Sequence, residues 1–89
     1  MKAYEMIITG RVQGVGFRYY VKTQADKYKI SGYVKNNTDG SVFVYAEGEE
    51  TELRNFKKKC EIGPSMSLVK NVDIQEVDPI GKNIFEIKI

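Results

Sequence analysis

The sequence predicts an α+β domain in which two helices cover one face of a mainly antiparallel sheet. Three observations predict it. Apolar residues recur at the period of two of a strand and, in two other segments, at helical spacing. Asp39-Gly40 marks a tight hairpin between two of the strand patterns. Glycines punctuate the joins between segments. In chain order the segments read β-α-β-β-α-β with an extra C-terminal strand, the split βαβ or ferredoxin-like pattern.

Each element has its own justification. In residues 3–12, Tyr4, Met6 and Ile8 alternate with Ala3, Glu5 and Ile7, as a half-buried strand requires. A helix follows near 17–29, where Phe17, Tyr20, Val21, Ala25 and Tyr28 form one apolar stripe. Lys22, Gln24, Asp26 and Lys29 occupy its opposite face. Gly32–Asn36 reads as a short strand, Thr38-Asp39-Gly40 as a turn and Ser41–Ala46 as the hairpin's second strand. A second helix is expected over about 50–62. Its start is acidic (Glu49, Glu50, Glu52) and its end basic (Lys57, Lys58, Lys59), which suits the helix dipole. Leu53, Phe56 and Cys60 give it a narrow apolar stripe, and Gly63-Pro64 ends it. Strand patterns near 68–77 and 84–89 close the chain, with Phe85, Ile87 and Ile89 expected on one face.

The 89 residues are one domain's worth, read as a single domain over 1–89. Composition is that of a folded globule, with 42% hydrophobic and 29% charged residues, rather than of a disordered chain. The lone cysteine, Cys60, has no partner for an internal disulfide, and no signal peptide is read at Met1-Lys2-Ala3-Tyr4-Glu5; both point to a cytoplasmic protein. No apolar run approaches the roughly 18 residues of a membrane helix, so no membrane role is expected. A net charge of +2 permits an anionic ligand without calling for nucleic acid. The absence of histidine removes the commonest general base and the commonest metal ligand.

Gly10-Arg11-Val12-Gln13-Gly14-Val15-Gly16-Phe17-Arg18 joins the first strand to the first helix. Glycines let the backbone turn sharply and bring its N–H groups close to a ligand, and the following helix adds unpaired N–H groups and its positive dipole end. The result is an anion cradle. Its spacing is neither the Gly-Lys-Ser/Thr of a P-loop nor G-x-G-x-x-G, so no nucleotide is implied. Arg18 lies in the first helical turn, where a cation opposes the dipole unless an anion is bound. A guanidinium there grips phosphate oxygens bidentately; the alternative is a tight turn followed by a solvated arginine. Arg11 reads as surface.

Tyr33-Val34-Lys35-Asn36-Asn37 ends the second strand. If this strand lies beside the first, its end approaches the glycine loop. A carboxamide can hold a water through its oxygen and its NH₂ group, but both asparagines also suit turn chemistry. With no histidine available, a substrate whose leaving group needs no protonation fits best. An acyl phosphate leaves as a carboxylate, whose conjugate acid has a pKa of about 4. Positioning and electrostatic stabilisation by backbone N–H groups, one arginine and one asparagine then suffice.

At these residues the sequence resembles the acylphosphatases. Gly10–Arg18 is similar to that family's first signature and Gly32–Gly40 to its second, and their separation and the total length match as well. The resemblance covers essentially the whole chain. It implies a ferredoxin-like fold and hydrolysis of small acyl phosphates to carboxylate and inorganic phosphate, with no metal or other cofactor. It also implies that Arg18 and the backbone of Gln13, Gly14, Val15, Gly16 and Phe17 bind the phosphate, and that Asn36 orients the attacking water. Asn37 receives no role. Tyr33 stands where the family often has tryptophan, a difference of packing rather than chemistry. The expected partners are the small substrate and its phosphate product, acting on a monomer.

Two other readings compete. Gly40-Ser41-Val42-Phe43-Val44-Tyr45 faintly resembles the aromatic run of an RNA recognition motif, although Asp39 replaces the basic residue and Val42 an aromatic. A catalytically idle phosphate-binding domain of the same fold is the other. Cys60, on an apolar stripe without an activating partner, reads as a buried structural residue.

Overall fold

A computed structural model describes all 89 residues. The elements are β1 (Lys2–Arg11), α1 (Phe17–Lys27), β2 (Ser31–Asn36), β3 (Val42–Gly48), α2 (Glu50–Ile62), β4 (Leu68–Val77) and β5 (Phe85–Ile87). They form one five-stranded sheet in the order β4-β1-β3-β2-β5. Only the β2–β5 pair is parallel. The expected order of elements is the observed one, with boundaries moved by a few residues.

Strand alternation sorts the two sheet faces. Met6 pairs with Val44 and Ile8 with Val42, and Val44 in turn pairs with Val34. These side chains are fully buried and face the helices. From α1, Phe17, Val21 and Ala25 fall at i, i+4 and i+8, one face of a helix, and pack onto them. From α2, Leu53, Phe56 and Cys60 do the same. Burial of each large side chain stabilises the fold by about 1.5–3 kcal/mol. The α1 stripe ends where Lys29 turns left-handed at φ 57°, one residue beyond the C-cap Tyr28. The Tyr20 hydroxyl donates to the Lys59 carbonyl at 2.9 Å and ties α1 to the end of α2. Burial pushes the Cys60 thiol far up from its ordinary pKa, which fits the structural role expected of it.

The last strand differs from expectation. Phe85 is buried and meets Phe56 edge-on at 6.0 Å, but Ile87 is partly exposed and Ile89 lies beyond the strand in solvent. Three residues of edge strand are too few to bury the whole apolar alternation.

The opposite sheet face carries a row of aromatic rings. Tyr33 lies 5.9 Å from both Phe43 and Tyr45. Lys88 and Lys82 sit over the Tyr33 ring and Lys35 over that of Phe43. Tyr45 is buried; its hydroxyl donates to the Glu47 carboxylate at 2.7 Å and accepts from the Ile80 N–H at 2.9 Å. Phe43 and Tyr45 therefore share a face, as the RNA-binding alternative requires. Lysines and the loop through Ile80 and Gly81 nevertheless cover much of the row.

Candidate active site

The geometry of the sheet decides which loops meet. The condition considered from sequence, β2 directly beside β1, is not the one that brings the two ends together; β3 runs between them. Both pair with β3 antiparallel, so β1 and β2 run parallel to each other. Their C-terminal ends therefore reach the same edge of the sheet. Val42 is the register point: it pairs with Ile8 on one side and Asn36 on the other. The glycine loop leaves β1 at this edge, and Asn36 ends β2 there.

Between them lies an open cavity of about 240 Å³ lined by Val12, Gln13, Gly14, Gly16, Phe17, Arg18, Tyr19, Asn36 and Ile87. This is smaller than the ~300–1,000 Å³ of drug-sized ligand pockets. Arg18 and Asn36 are brought together as expected, with four of the five proposed cradle positions. The fifth, Val15, does not line the cavity; its side chain packs against the core.

Gly14 and Gly16 adopt φ of 74° and 76°, a region that L side chains rarely occupy. A Cβ at either would meet no atom within 4 Å, so conformation rather than crowding demands glycine, and the space before the loop is open. Gly16 is also the N-cap of α1, and no side chain caps the helix. Its first N–H groups thus stay available to an anion from outside.

Arg18 is held from the far end of the chain. Its Nη1 donates to the Lys88 carbonyl at 3.0 Å. A guanidinium has five N–H donors, so this contact leaves others for a ligand. The Gln13 side chain braces the loop from behind, its Nε2 donating to the Asn37 carbonyl at 2.8 Å and to the Ser41 carbonyl at 2.9 Å. The glycine loop is thereby pinned to the β2–β3 turn. That turn closes on itself through Asn37 N–H to the Ser41 carbonyl, Asn37 Nδ2 to Ser41 Oγ, and Asp39, whose carboxylate accepts from both the Ser41 N–H and hydroxyl. The two Ser41 bonds, the hydroxyl one first, hold the Asp39 carboxyl below its ordinary pKa. Asn37 is thus a turn residue. The Asn36 carboxamide takes part in none of these bonds, and Asn36 is among the residues that line the cavity.

Several participants carry no signal in the sequence. The Lys88 carbonyl is a backbone group with no sequence signature. The Gln13 side chain acts beside the backbone role expected of that residue. Tyr19 and Ile87 line the mouth, and only exposure marks them, at 73% and 40%.

A helix N-terminus with no side-chain cap, and a cavity beside it lined by a guanidinium and a carboxamide, give this ferredoxin-like sheet the make-up of a protein that can hold a phosphate-sized anion. Comparison with known proteins narrows the class. The family model described as Acylphosphatase matches residues 4–87. The acylphosphatase of Thermotoga maritima is 46% identical over 88 residues, spanning 99% of this chain and 98% of the relative. The crystal structure of acylphosphatase from Bacillus subtilis superposes with a TM-score of 0.97 at 42% identity, each chain fully covered. Full-length HypF, in its phosphate- and nucleotide-bound form, contains a similar region: TM-score 0.92 and 34% identity over 98% of this chain but only 12% of HypF. The chain belongs to the acylphosphatase family, and its activity is that of an acylphosphatase.

Proposed function

We propose that the chain hydrolyses the carboxyl–phosphate bond of small acyl phosphates in the cavity between the glycine loop and Asn36, without a metal or other cofactor. Backbone N–H groups of Gln13 to Phe17 and the Arg18 guanidinium hold the phosphoryl oxygens. The Asn36 carboxamide orients a water in line with the phosphorus–carboxylate bond. The water oxygen bonds to phosphorus as that bond breaks, and the carboxylate leaves with the bonding pair. The water's proton passes to a phosphoryl oxygen of the substrate, so no protein base takes part. The cavity fits this chemistry, because its polar side chains are one guanidinium, two carboxamides and a phenol. As negative charge redistributes over the phosphoryl oxygens, the preorganised donors stabilise it at little reorganisation cost.

The observation that carries this reading is the meeting of Arg18 and Asn36 in one cavity whose floor is a helix N-terminus with no side-chain cap. The protein is proposed to act as a cytoplasmic monomer, consistent with its single buried, unpaired thiol. No helix is long and apolar enough to cross a membrane. The decisive experiment is hydrolysis of benzoyl phosphate with EDTA present. Rapid turnover that Arg18→Ala abolishes, together with loss of inorganic phosphate binding, is expected. Turnover that survives Arg18→Ala, or that EDTA removes, would overturn the assignment.

A further inference from the structure

The cavity lining divides by depth. Of its four aliphatic or aromatic members, Val12 and Phe17 are buried, with 1% and 2% exposure, and form part of the core beneath the loop. Tyr19 and Ile87 are exposed and therefore stand at the rim. The phosphate-holding scheme uses neither. Each adjoins one end of the Arg18–Lys88 hydrogen bond in sequence, Tyr19 following Arg18 and Ile87 preceding Lys88. That bond ties α1 to the residue just after β5, and so Tyr19 and Ile87 come to the same mouth.

The charges around the mouth are equally informative. Arg18 is the only charged residue in the lining. The Lys88 ammonium, though next to Ile87, lies 4.3 Å from the Tyr33 ring centroid on the opposite sheet face. A phosphoryl group engages Arg18 and the loop. The other end of the substrate then meets a phenol ring and a branched aliphatic chain, with no second cation.

Resting on the phosphate placement proposed above, we infer that Tyr19 and Ile87 form an acyl-group subsite, and that the preferred substrates carry an uncharged, apolar acyl chain of several carbons rather than a second phosphate or carboxylate. Apolar surface removed from water at the rim strengthens binding in both ground and transition states, and a terminal anion there would lose hydration without gaining a partner.

The test compares acetyl with hexanoyl phosphate. Both release carboxylates of nearly equal basicity, so the ratio of their kcat/KM values reports contact with the chain and not leaving-group chemistry. A preference for hexanoyl phosphate of about tenfold is expected in the wild type, modest because the rim is only partly enclosed. Tyr19→Ala and Ile87→Ala should each bring the ratio towards one, whereas Tyr19→Phe should keep it. Both side chains are exposed, so the core stays intact. Binding of hexylphosphonate against methylphosphonate, by calorimetry, gives the same comparison without turnover, and 6-phosphonohexanoate should bind more weakly than hexylphosphonate. A wild-type ratio near one, or ratios unchanged in both alanine variants, would overturn the subsite. Loss of phosphonate binding in Arg18→Ala shows that the phosphate placement stands. Phosphonates held equally well by Arg18→Ala would sink that placement, and the subsite with it.

Discussion

Arg18 and Lys88, separated by 70 residues in sequence, are joined by one hydrogen bond of 3.0 Å from guanidinium to main-chain carbonyl. The proposed phosphate-gripping side chain is therefore aimed by the end of the last strand, itself anchored by the Lys88 N–H to the Val34 carbonyl at 2.8 Å. A chain ending in an amide at Ile87 lacks the acceptor without placing a new carboxylate beside Arg18. It should fold by far-UV circular dichroism yet show a KM for benzoyl phosphate and an inhibition constant for phosphate each raised about tenfold, the usual worth of a hydrogen bond to a charged group. Unchanged values would mean that Arg18 needs no such support.

Asn36 should separate binding from turnover. It lines the cavity without belonging to the hydrogen-bonded turn that Asn37 and Ser41 maintain. Asn36→Ala is expected to lower kcat about 100-fold or more, as loss of one positioned polar group does at other sites. The inhibition constant for inorganic phosphate should hardly move. A fully active Asn36→Ala would remove the water-orienting role.

Gln13 offers a sharper electrostatic test. Its Nε2 donates to two carbonyl oxygens at once. Gln13→Ala leaves both without that donor. Gln13→Glu goes further and sets a carboxylate against them. Urea unfolding should show the glutamate variant as the less stable of the two, with a loss of about 1–3 kcal/mol against wild type. Turnover should fall in both, because the glycine loop loses its tie to the turn that follows Asn36. Equal stability of the two variants would mean that the side chain makes no such bridge in solution.

Glu47 predicts a pH dependence. Burial alone would raise its pKa, but the Tyr45 hydroxyl and the N–H groups of Lys82, Gly81 and Ile80 outweigh burial and leave the carboxyl below its ordinary value. A group with a depressed folded-state pKa stabilises the protein at every pH above its unfolded value, near 4.5. That contribution disappears as the pH falls through the folded value. Urea midpoints followed from pH 7 to pH 3 should therefore drop more steeply for wild type than for Glu47→Gln, while at pH 7 the variant should be less stable. Parallel pH profiles would show that the carboxylate contributes nothing through its charge.

Much of this architecture is legible in the sequence because it is local. The stripe Phe17, Val21 and Ala25 needs only helical spacing, and the burial of Met6 and Ile8 needs only strand alternation. The left-handed φ at Gly14 and Gly16 is what glycine in that loop advertises. Other features depend on pairings that no local pattern encodes. That Asn36 reaches the glycine loop follows from β3 lying between β1 and β2, a matter of sheet order. That Lys88 serves Arg18 follows from its backbone carbonyl, which every residue possesses. Alternation says which face a residue takes, not whether anything covers it, and so Ile89 stands in solvent despite its pattern.

Cys60 gives the molecule an internal reporter. It is the single thiol in the chain, sealed beneath α2 with no measurable exposure, and burial keeps it protonated. A thiol-specific label therefore reacts only with molecules that have opened far enough to part α2 from the sheet. Under conditions where reclosing outpaces labelling, the modification rate measures the free energy of that opening in native buffer, without denaturant and without an engineered probe. Phosphate or a phosphonate bound to the closed state should slow the reaction in proportion to its occupancy. One absorbance trace then reads ligand affinity from a sulfur atom that never touches the ligand.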